Sequence, residues 1–294
     1  MLWAISAFAG AVLDAGYYAL AKRFLASVTD DVLAAGAFLG TALFLLLIAL
    51  ARGIPEVTTD LIQPVLITGT FNIIATVLVF STLRRTDLSL AVPLITFTLV
   101  FLAGTSYLVL GEVPTAAGMA GILLIVLGAF CIQLSPGSSA PSAPWDRARW
   151  KGIATMLGVA FLYSLSLPFD KAVVLASDAV FGSALVNLYI GAAFGGISLA
   201  RGSWSRVPPG AAVSSAIVLS LVLVGETVLI NFAYTLQIVP YVIAVKRLSI
   251  LFSVLIGGLV FREGGIRYRI LGALIMIGGV ALIVLTTVPG SILS

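Results

Sequence analysis

The stretch "RLSILFSVLIGGLVFRE", residues 247–263, has a counterpart earlier in the chain. Residues 96–112, "TFTLVFLAGTSYLVLGE", align with it without a gap and place Phe101 on Phe252. The similarity continues downstream, where two glycines of the first copy fall on two of the second: Gly121 on Gly272 and Gly128 on Gly279. Two copies of one structural unit therefore make up the chain.

The chain around this repeat is too apolar for a water-soluble globule. Hydrophobic residues make up 61% and charged residues 10% of the sequence, with a mean hydropathy of +1.18, whereas soluble domains are about 25% charged. Apolar windows of about 20 residues are typical of membrane spans, which lipid forces to be helical. The sequence predicts ten spans: 2–20, 31–51, 61–83, 88–110, 114–134, 151–170, 179–200, 212–236, 239–261 and 266–288.

A stretch rich in Pro, Ser and Gly, residues 135–150, separates the fifth span from the sixth. We assign residues 1–134 to a first five-helix repeat, 135–149 to a linker and 150–294 to a second repeat. An odd number of helices per repeat makes the second copy enter the membrane from the opposite side. The predicted fold is an all-α polytopic membrane protein with ten transmembrane helices, arranged as two inverted repeats around a central cavity.

The composition also excludes several classes of function. The chain has no histidine and one cysteine, Cys131. This excludes catalysis and metal binding by histidine, disulfides within the chain, and metal sites made of several cysteines. The net charge of +4 comes from Lys and Arg in short loops, so we expect no nucleic-acid partner. We predict no catalytic residues, no metal and no cofactor, and a phosphate-cradling loop for ATP is absent from the sequence.

The chain resembles the EamA-like ten-helix branch of the drug/metabolite transporter superfamily. The resemblance lies in the number of helices, in the repeat of five helices and in the dipeptides "GE" and "RE", which end at residues 112 and 263. The resemblance covers essentially the whole chain. It implies a ten-helix basket with a central cavity and secondary transport of small metabolites, often outward. It does not name a substrate. Glu112 and Glu263 themselves are expected to end spans at the water boundary in a structural role.

Two adjacent cations, Lys246 and Arg247, lie inside the predicted ninth span. A cation at the centre of a span costs about 2.5–3.5 kcal/mol, so the pair has to face protein or water. Two acidic residues, Asp14 and Glu226, also lie deep inside predicted spans. Together with the two cations they have a formal charge of zero. We expect Arg247 to pair with Glu226 and one cation of the two to face the cavity. Alternatively, the ion pairs only hold helices in register.

The segment around these cations also resembles the ninth helix of the sugar-phosphate/phosphate translocators, in which an adjacent Lys-Arg pair grips the phosphate of the cargo. Only Lys246 and Arg247 carry over. The equivalent positions of the first repeat, Ile95 and Thr96, are uncharged. A carboxylate satisfies the same donors as a phosphate, so both classes of anion stay open.

Five further polar side chains are candidates for lining the cavity: Asn72, Asn187, Asn231, Tyr163 and Tyr234. The alternative for the asparagines is an interhelical hydrogen bond, of about 0.6 kcal/mol each. Two other tyrosines, Tyr17 and Tyr18, are expected to mark the membrane interface.

The predicted function is secondary active transport, as exporter or exchanger, of a small anionic or zwitterionic metabolite. Glu226, with Asp14 as second choice, is the predicted site of coupling to protons or to a counter-substrate. One alternative is an exporter of neutral or aromatic amino acids or of cationic drugs that uses Asp14 or Glu226; another is a membrane enzyme or lipid scramblase. We expect a monomer in the bacterial inner membrane, partnered by its substrate and the bilayer.

Loop charges predict the orientation. Loops after odd-numbered spans carry twelve Lys or Arg residues: Lys22, Arg23, Arg84, Arg85, Arg147, Arg149, Lys151, Arg201, Arg206, Arg262, Arg267 and Arg269. Loops after even-numbered spans carry only Arg52 and Lys171. The positive-inside rule places the first set in the cytoplasm and both termini outside. The family resemblance implies the reverse, with both termini inside.

Overall fold

The computed structural model describes residues 1–85, 94–133, 147–252 and 266–287. Its α-helices are α1 Leu2–Phe24, α2 Asp30–Arg52, α3 Thr59–Arg85, α4 Thr98–Leu110, α5 Ala116–Gln133, α6 Arg147–Ala176, α7 Phe181–Ala200, α8 Pro209–Leu236, α9 Val239–Lys246 and α10 Ile266–Thr286. A short 3-10 helix, Ser203–Arg206, precedes α8. The described part of the chain contains no strand, which confirms the all-α prediction.

Six of the described helices are long and apolar enough to cross a bilayer: α1, α2, α3, α6, α7 and α8. Shorter apolar helices are supplied by α4, α5 and α10. Because lipid has no hydrogen-bonding groups, each backbone amide has to be satisfied within its own helix. The architecture is that of a polytopic membrane protein, as predicted. Most of the predicted linker lies outside the described residues, and its last residues, 147–149, belong to α6.

The packing of α5 on α10 shows that the second repeat is inverted. A Cβ added to Gly121 would lie 2.7 Å from the carbonyl oxygen of Gly279, and one added to Gly128 would lie 2.6 Å from that of Gly272. Residue numbers rise along α5 while those of the contacts fall along α10, so the two helices are antiparallel. They are the fifth helices of the two repeats, and their opposite directions are those of an inverted pair.

Other helix contacts follow the same symmetry, in which each helix of the first repeat corresponds to the helix five places later. α1 packs on α8 as α6 packs on α3, and α4 packs on α6 as α9 packs on α1. α2 contacts α8 as α7 contacts α3. The four helices α1, α3, α6 and α8 thereby meet in exchanged pairs and surround the centre of the molecule.

The fourth and ninth spans differ from the prediction because each contains a turn. α9 ends at Lys246, residues 247–248 form a turn, and helix resumes over 249–252. In the first repeat, residues 94–95 are helical, 96–97 form a turn and α4 begins at Thr98. The two turns fall on each other in the repeat alignment. The other parts of these predicted spans, 88–93 and 253–261, lie outside the described residues.

Candidate functional site

The ammonium of Lys246, at the end of α9, lies between two carboxylates from other helices. Its Nζ is 2.5 Å from Oε1 of Glu226 on α8 and 3.4 Å from Oδ1 of Asp14 on α1. The other oxygen of Asp14, Oδ2, is buried and has no hydrogen-bond partner among the described residues. Two carboxylates therefore share one ammonium, and with all three groups ionised the cluster carries one uncompensated negative charge.

The predicted pairing of Glu226 with Arg247 is wrong, because Lys246 occupies that place. Neighbouring residues of a helix point about 100° apart, so a carboxylate on α8 meets only one of the two cations. Counting residues from the turn between α8 and α9 gives the depth of each group but not its direction. One cation was expected to pair between helices and the other to face the cavity. Lys246 forms the ion pairs between helices, and Arg247 lines the cavity without an ion pair to a described residue.

Arg247 is the residue that follows α9, and it is 8% exposed. Its Nε is buried without a hydrogen-bond partner, and it forms no ion pair with any described residue. The side chain lines a cavity of about 170 Å³ together with three tyrosines: Tyr17, Tyr18 and Tyr163. A buried cation with an unused donor is costly unless a partner arrives. The guanidinium is thus available to an anionic group in the cavity.

Tyr17 and Tyr18, which were expected at the membrane interface, both line this cavity, and their interface position stays a prediction. The predicted first span ends at residue 20, whereas α1 continues to Phe24. Both rings therefore lie well inside the helix, and Tyr17 is buried.

Asp170 on α6 lines the same cavity as Arg247. Its Oδ1 accepts a hydrogen bond of 2.5 Å from Thr68 Oγ1 on α3. The Thr68 hydroxyl lies 2.8 Å from Ser166 Oγ, to which Asn72 Nδ2 donates at 2.7 Å. In the described part of the chain Asp170 forms no ion pair. A carboxylate that accepts a hydrogen bond from one hydroxyl group keeps acceptor capacity for a cation in the cavity.

A second cavity of about 170 Å³ adjoins the first. The two share several lining residues, among them Asn72, Asp170, Glu226 and Lys246. Three further predicted candidates line the second cavity and not the first: Asn187, Asn231 and Tyr234. All nine predicted site residues thus lie along one pair of adjoining cavities, and their roles there stay predictions.

A model of the EamA-like transporter family matches residues 1–134. The matched stretch, 134 of 294 residues, is just under half of the chain. The match supports a membrane transporter of the drug/metabolite transporter type, and it ends where the first predicted repeat ends. The assignment of residues 150–294 to a second EamA-like repeat stays a prediction.

The fold of the whole chain is also found in a solved crystal structure. The two superpose with a TM-score of 0.74 at 17% sequence identity, over 96% of each chain. At that identity the likeness concerns the fold alone. No curated protein matches the chain in sequence. With the family match and the apolar helices, the chain is an integral, multi-pass membrane protein.

The three asparagines combine both roles considered for them, cavity lining and hydrogen bonding to protein groups. Asn72 Nδ2 donates to the Ser166 hydroxyl of α6, and Asn231 Nδ2 donates to the hydroxyl of Ser183 on α7. Asn187 Nδ2 donates at 2.8 Å to the carbonyl oxygen of Ser183 in its own helix. The asparagines therefore line the cavities, while their amide donors are engaged by protein groups.

Asp170 was not among the predicted site residues. The predicted sixth span ended at residue 170, which put the carboxylate at the membrane boundary, but α6 continues to Ala176. Pro168 also stands inside α6 without ending it. The signal available in the sequence was an acidic residue in the last predicted turn of an apolar span. Its partner Thr68, 102 residues away in the chain, carries no such signal.

Proposed function

We propose that the chain is a secondary active transporter of a small zwitterionic metabolite, of which an α-amino acid is the simplest example. One observation carries the proposal: Arg247 and Asp170 line the same cavity, and neither forms an ion pair with a described residue. A guanidinium binds a carboxylate through charge-assisted hydrogen bonds, and a carboxylate binds an ammonium group in the same way.

The charge of the cavity supports a zwitterion over a simple anion. Its charged lining groups are Asp14, Asp170, Glu226, Lys246 and Arg247, which is three acids and two bases. Lys246 is already held by two of the acids. A purely anionic cargo would bring further negative charge next to Asp170, whereas a zwitterion offers each free group an opposite charge.

Transport by alternating access follows from the inverted repeat. Helices related by the repeat pack in exchanged pairs around the cavities. Such a pair of repeats can exchange conformations and so open one central site to each face of the membrane in turn. The proposed cargo site is the cavity to which α1, α3, α6, α8 and α9 contribute lining residues.

The cluster around Lys246 is the proposed coupling site. Because Asp14 and Glu226 share one ammonium, one proton bound to either carboxylate makes the cluster neutral. Loss of that proton leaves a negative charge close to Arg247 in the same cavity. Substrate and proton would then influence each other's binding, which is the basis of proton-coupled transport or of exchange.

The export of neutral, aromatic or cationic compounds through Asp14 or Glu226 is the second candidate. It is less well supported, because a cationic cargo would have to displace the Lys246 ammonium from both carboxylates. The third class, a membrane enzyme or lipid scramblase, is disfavoured by the family match, which is to transporters.

The test is transport of labelled α-amino acids into proteoliposomes, with two derivatives of each as competitors. A methyl ester keeps the ammonium and lacks the carboxylate, and an N-acetyl derivative keeps the carboxylate and lacks the ammonium. We expect at least one amino acid to be taken up and both of its derivatives to compete about tenfold less well or worse, since each loses one charged partner. Transport of simple anions or simple cations with no zwitterion accepted would overturn the proposal.

A further inference from the structure

Beyond the cavities, Glu112 joins three parts of the molecule through its carboxylate. It comes directly after Gly111, which ends α4 in a left-handed turn with φ 69°. Oε1 is 2.6 Å from Lys171 Nζ on α6, and Oε2 accepts the backbone N–H of Val239, the first residue of α9, at 2.8 Å. Lys171 Nζ also donates to the carbonyl oxygen of Gln237, between α8 and α9, at 2.8 Å.

These contacts are buried rather than exposed at a water boundary. The side chains of Lys171 and Glu112 are 11% and 10% exposed, so the expectation that Glu112 ends its span at water is wrong. The physical reason is that α6 continues past Lys171 and covers the end of α4. A buried ion pair of this kind contributes little net stability, but it fixes the relative positions of the elements that it joins.

The ion pair lies at one end of the cavities. At the end of α8, Gln237 comes three residues after the cavity residue Tyr234, and on α6, Lys171 lies between the cavity residues Asp170 and Val173. Along α8, a rise of about 4.5 Å, three residues, therefore separates the cavity wall from the ion pair. Cargo leaving at this end has to pass between the helices that Glu112 and Lys171 hold together.

The helices joined by Glu112 are α4, which ends just before it, and α9, whose first residue bonds to it. Each of these helices has a turn at the end far from Glu112, at residues 96–97 before α4 and 247–248 after α9. In the ninth helix, the N–H of Ile250 donates to the carbonyl oxygen of Arg247 at 3.1 Å; in the fourth, the N–H of Leu99 donates to that of Thr96 at 3.0 Å. These are 3-10 bonds at positions that match in the repeat. A 3-10 stretch inside a helix often marks a hinge.

We propose that the Glu112–Lys171 ion pair is a gate lock, which has to open in every transport cycle. α4 and α9 are the moving arms, held at one end by the lock and turning at residues 96–97 and 247–248. Arg247 is part of the α9 turn, so cargo bound to it acts on the arm that the lock holds. This inference rests on the proposed transport function for its role, but its structural claim is separable from the identity of the cargo.

The first test measures opening without any cargo. Cys131 is replaced by Ala, and Thr227, which lines the second cavity, by Cys as a reporter for a membrane-impermeant maleimide. Lys171→Met and Glu112→Gln should each raise the labelling rate from the lock side about tenfold, since losing the ion pair favours the open state. Arg52→Met is the matched control, an exposed cation at the end of α2, and should leave labelling unchanged. Equal labelling in all variants would mean that the ion pair is a permanent tie.

The second test prevents opening. Glu112→Cys and Lys171→Cys are combined in the Cys131→Ala background and joined by a short bifunctional thiosulfonate that a reductant removes. We expect amino acid transport in proteoliposomes to fall about tenfold or more on cross-linking and to return on reduction. Transport at an unchanged rate in the cross-linked protein would overturn the lock. If no amino acid is transported even before cross-linking, the proposed cargo is wrong, while the labelling result still decides on the lock.

Discussion

Arg247 and Asp170 line one cavity, from α9 and α6 respectively, and each is without an ion-pair partner in the part of the chain that the structure describes. The neighbour of Arg247 in the sequence, Lys246, has two carboxylate partners instead. The adjacent cations therefore have different tasks, and they should respond differently to substitution.

Lys246→Gln should reduce stability, because it leaves Glu226 and Asp14 buried without their cation. Removing one partner of a buried ion pair costs about 3–5 kcal/mol. Arg247→Gln removes no ion pair with a described residue and should melt within a few degrees of wild type, while amino acid affinity falls about tenfold or more. The measurements are the melting temperature of each purified variant in detergent and the affinity of the same samples for the transported amino acid. Equal loss of stability in both variants would contradict the division of tasks.

Glu226→Gln should separate binding from coupling. Glutamine keeps the shape of the side chain but cannot release a proton, and Asp14 remains as a partner for Lys246. We expect amino acid exchange to continue, while accumulation driven by a pH gradient is lost. Both are measured in the same proteoliposomes, with Asp14→Asn as the companion variant. Accumulation with the wild-type pH profile in Glu226→Gln would show that Glu226 is not the coupling group.

The fold was predictable because its causes are local or repeated. Apolar windows give helices in lipid whatever their partners, and the gapless match of 247–263 to 96–112 gives the repeat. An odd helix number per repeat then gives the inversion that the antiparallel Gly121–Gly279 and Gly128–Gly272 contacts display.

The site was predictable in membership but not in pairing. Deep ionisable residues are few in an apolar chain, so Asp14, Glu226, Lys246 and Arg247 stood out from the sequence. Which cation meets Glu226 depends on the rotation of α9 against α8, and the sequence contains no measure of that angle. Asp170 was missed for a different reason: the apolar window that predicted the sixth span ends before the helix α6 does.

The contact of α5 with α10 should tolerate no added carbon at Gly128. A Cβ there would lie 2.6 Å from the backbone oxygen of Gly272, which has no room to move. Gly128→Ala should lower stability by about 1–3 kcal/mol, the usual cost of overpacking. The matched control is Gly158→Ala in α6, where no atom lies within 4 Å of the added carbon. Equal melting temperatures of the two variants would contradict the close helix contact.

The orientation prediction is tested with a reporter fused to the C-terminus. Twelve Lys or Arg residues in the loops after odd-numbered spans, against two after even-numbered ones, predict that the C-terminus is outside the cytoplasm. A phosphatase fusion, active only outside, should therefore be active, and a fluorescent protein that folds only inside should be dark. The opposite pattern would favour the orientation that the family resemblance implies. The lock at Glu112 would then lie on the cytoplasmic side.

The central claim is that Arg247 and Asp170 hold opposite ends of one zwitterion. Its most direct measurement is the binding of the transported amino acid, its methyl ester and its N-acetyl derivative to purified wild type, Arg247→Gln and Asp170→Asn. We predict that Asp170→Asn weakens the amino acid and the ester about tenfold and spares the N-acetyl derivative, while Arg247→Gln weakens the amino acid and the N-acetyl derivative and spares the ester. If each variant weakens all three compounds equally, or neither weakens any, the two residues do not bind the two charges of the cargo.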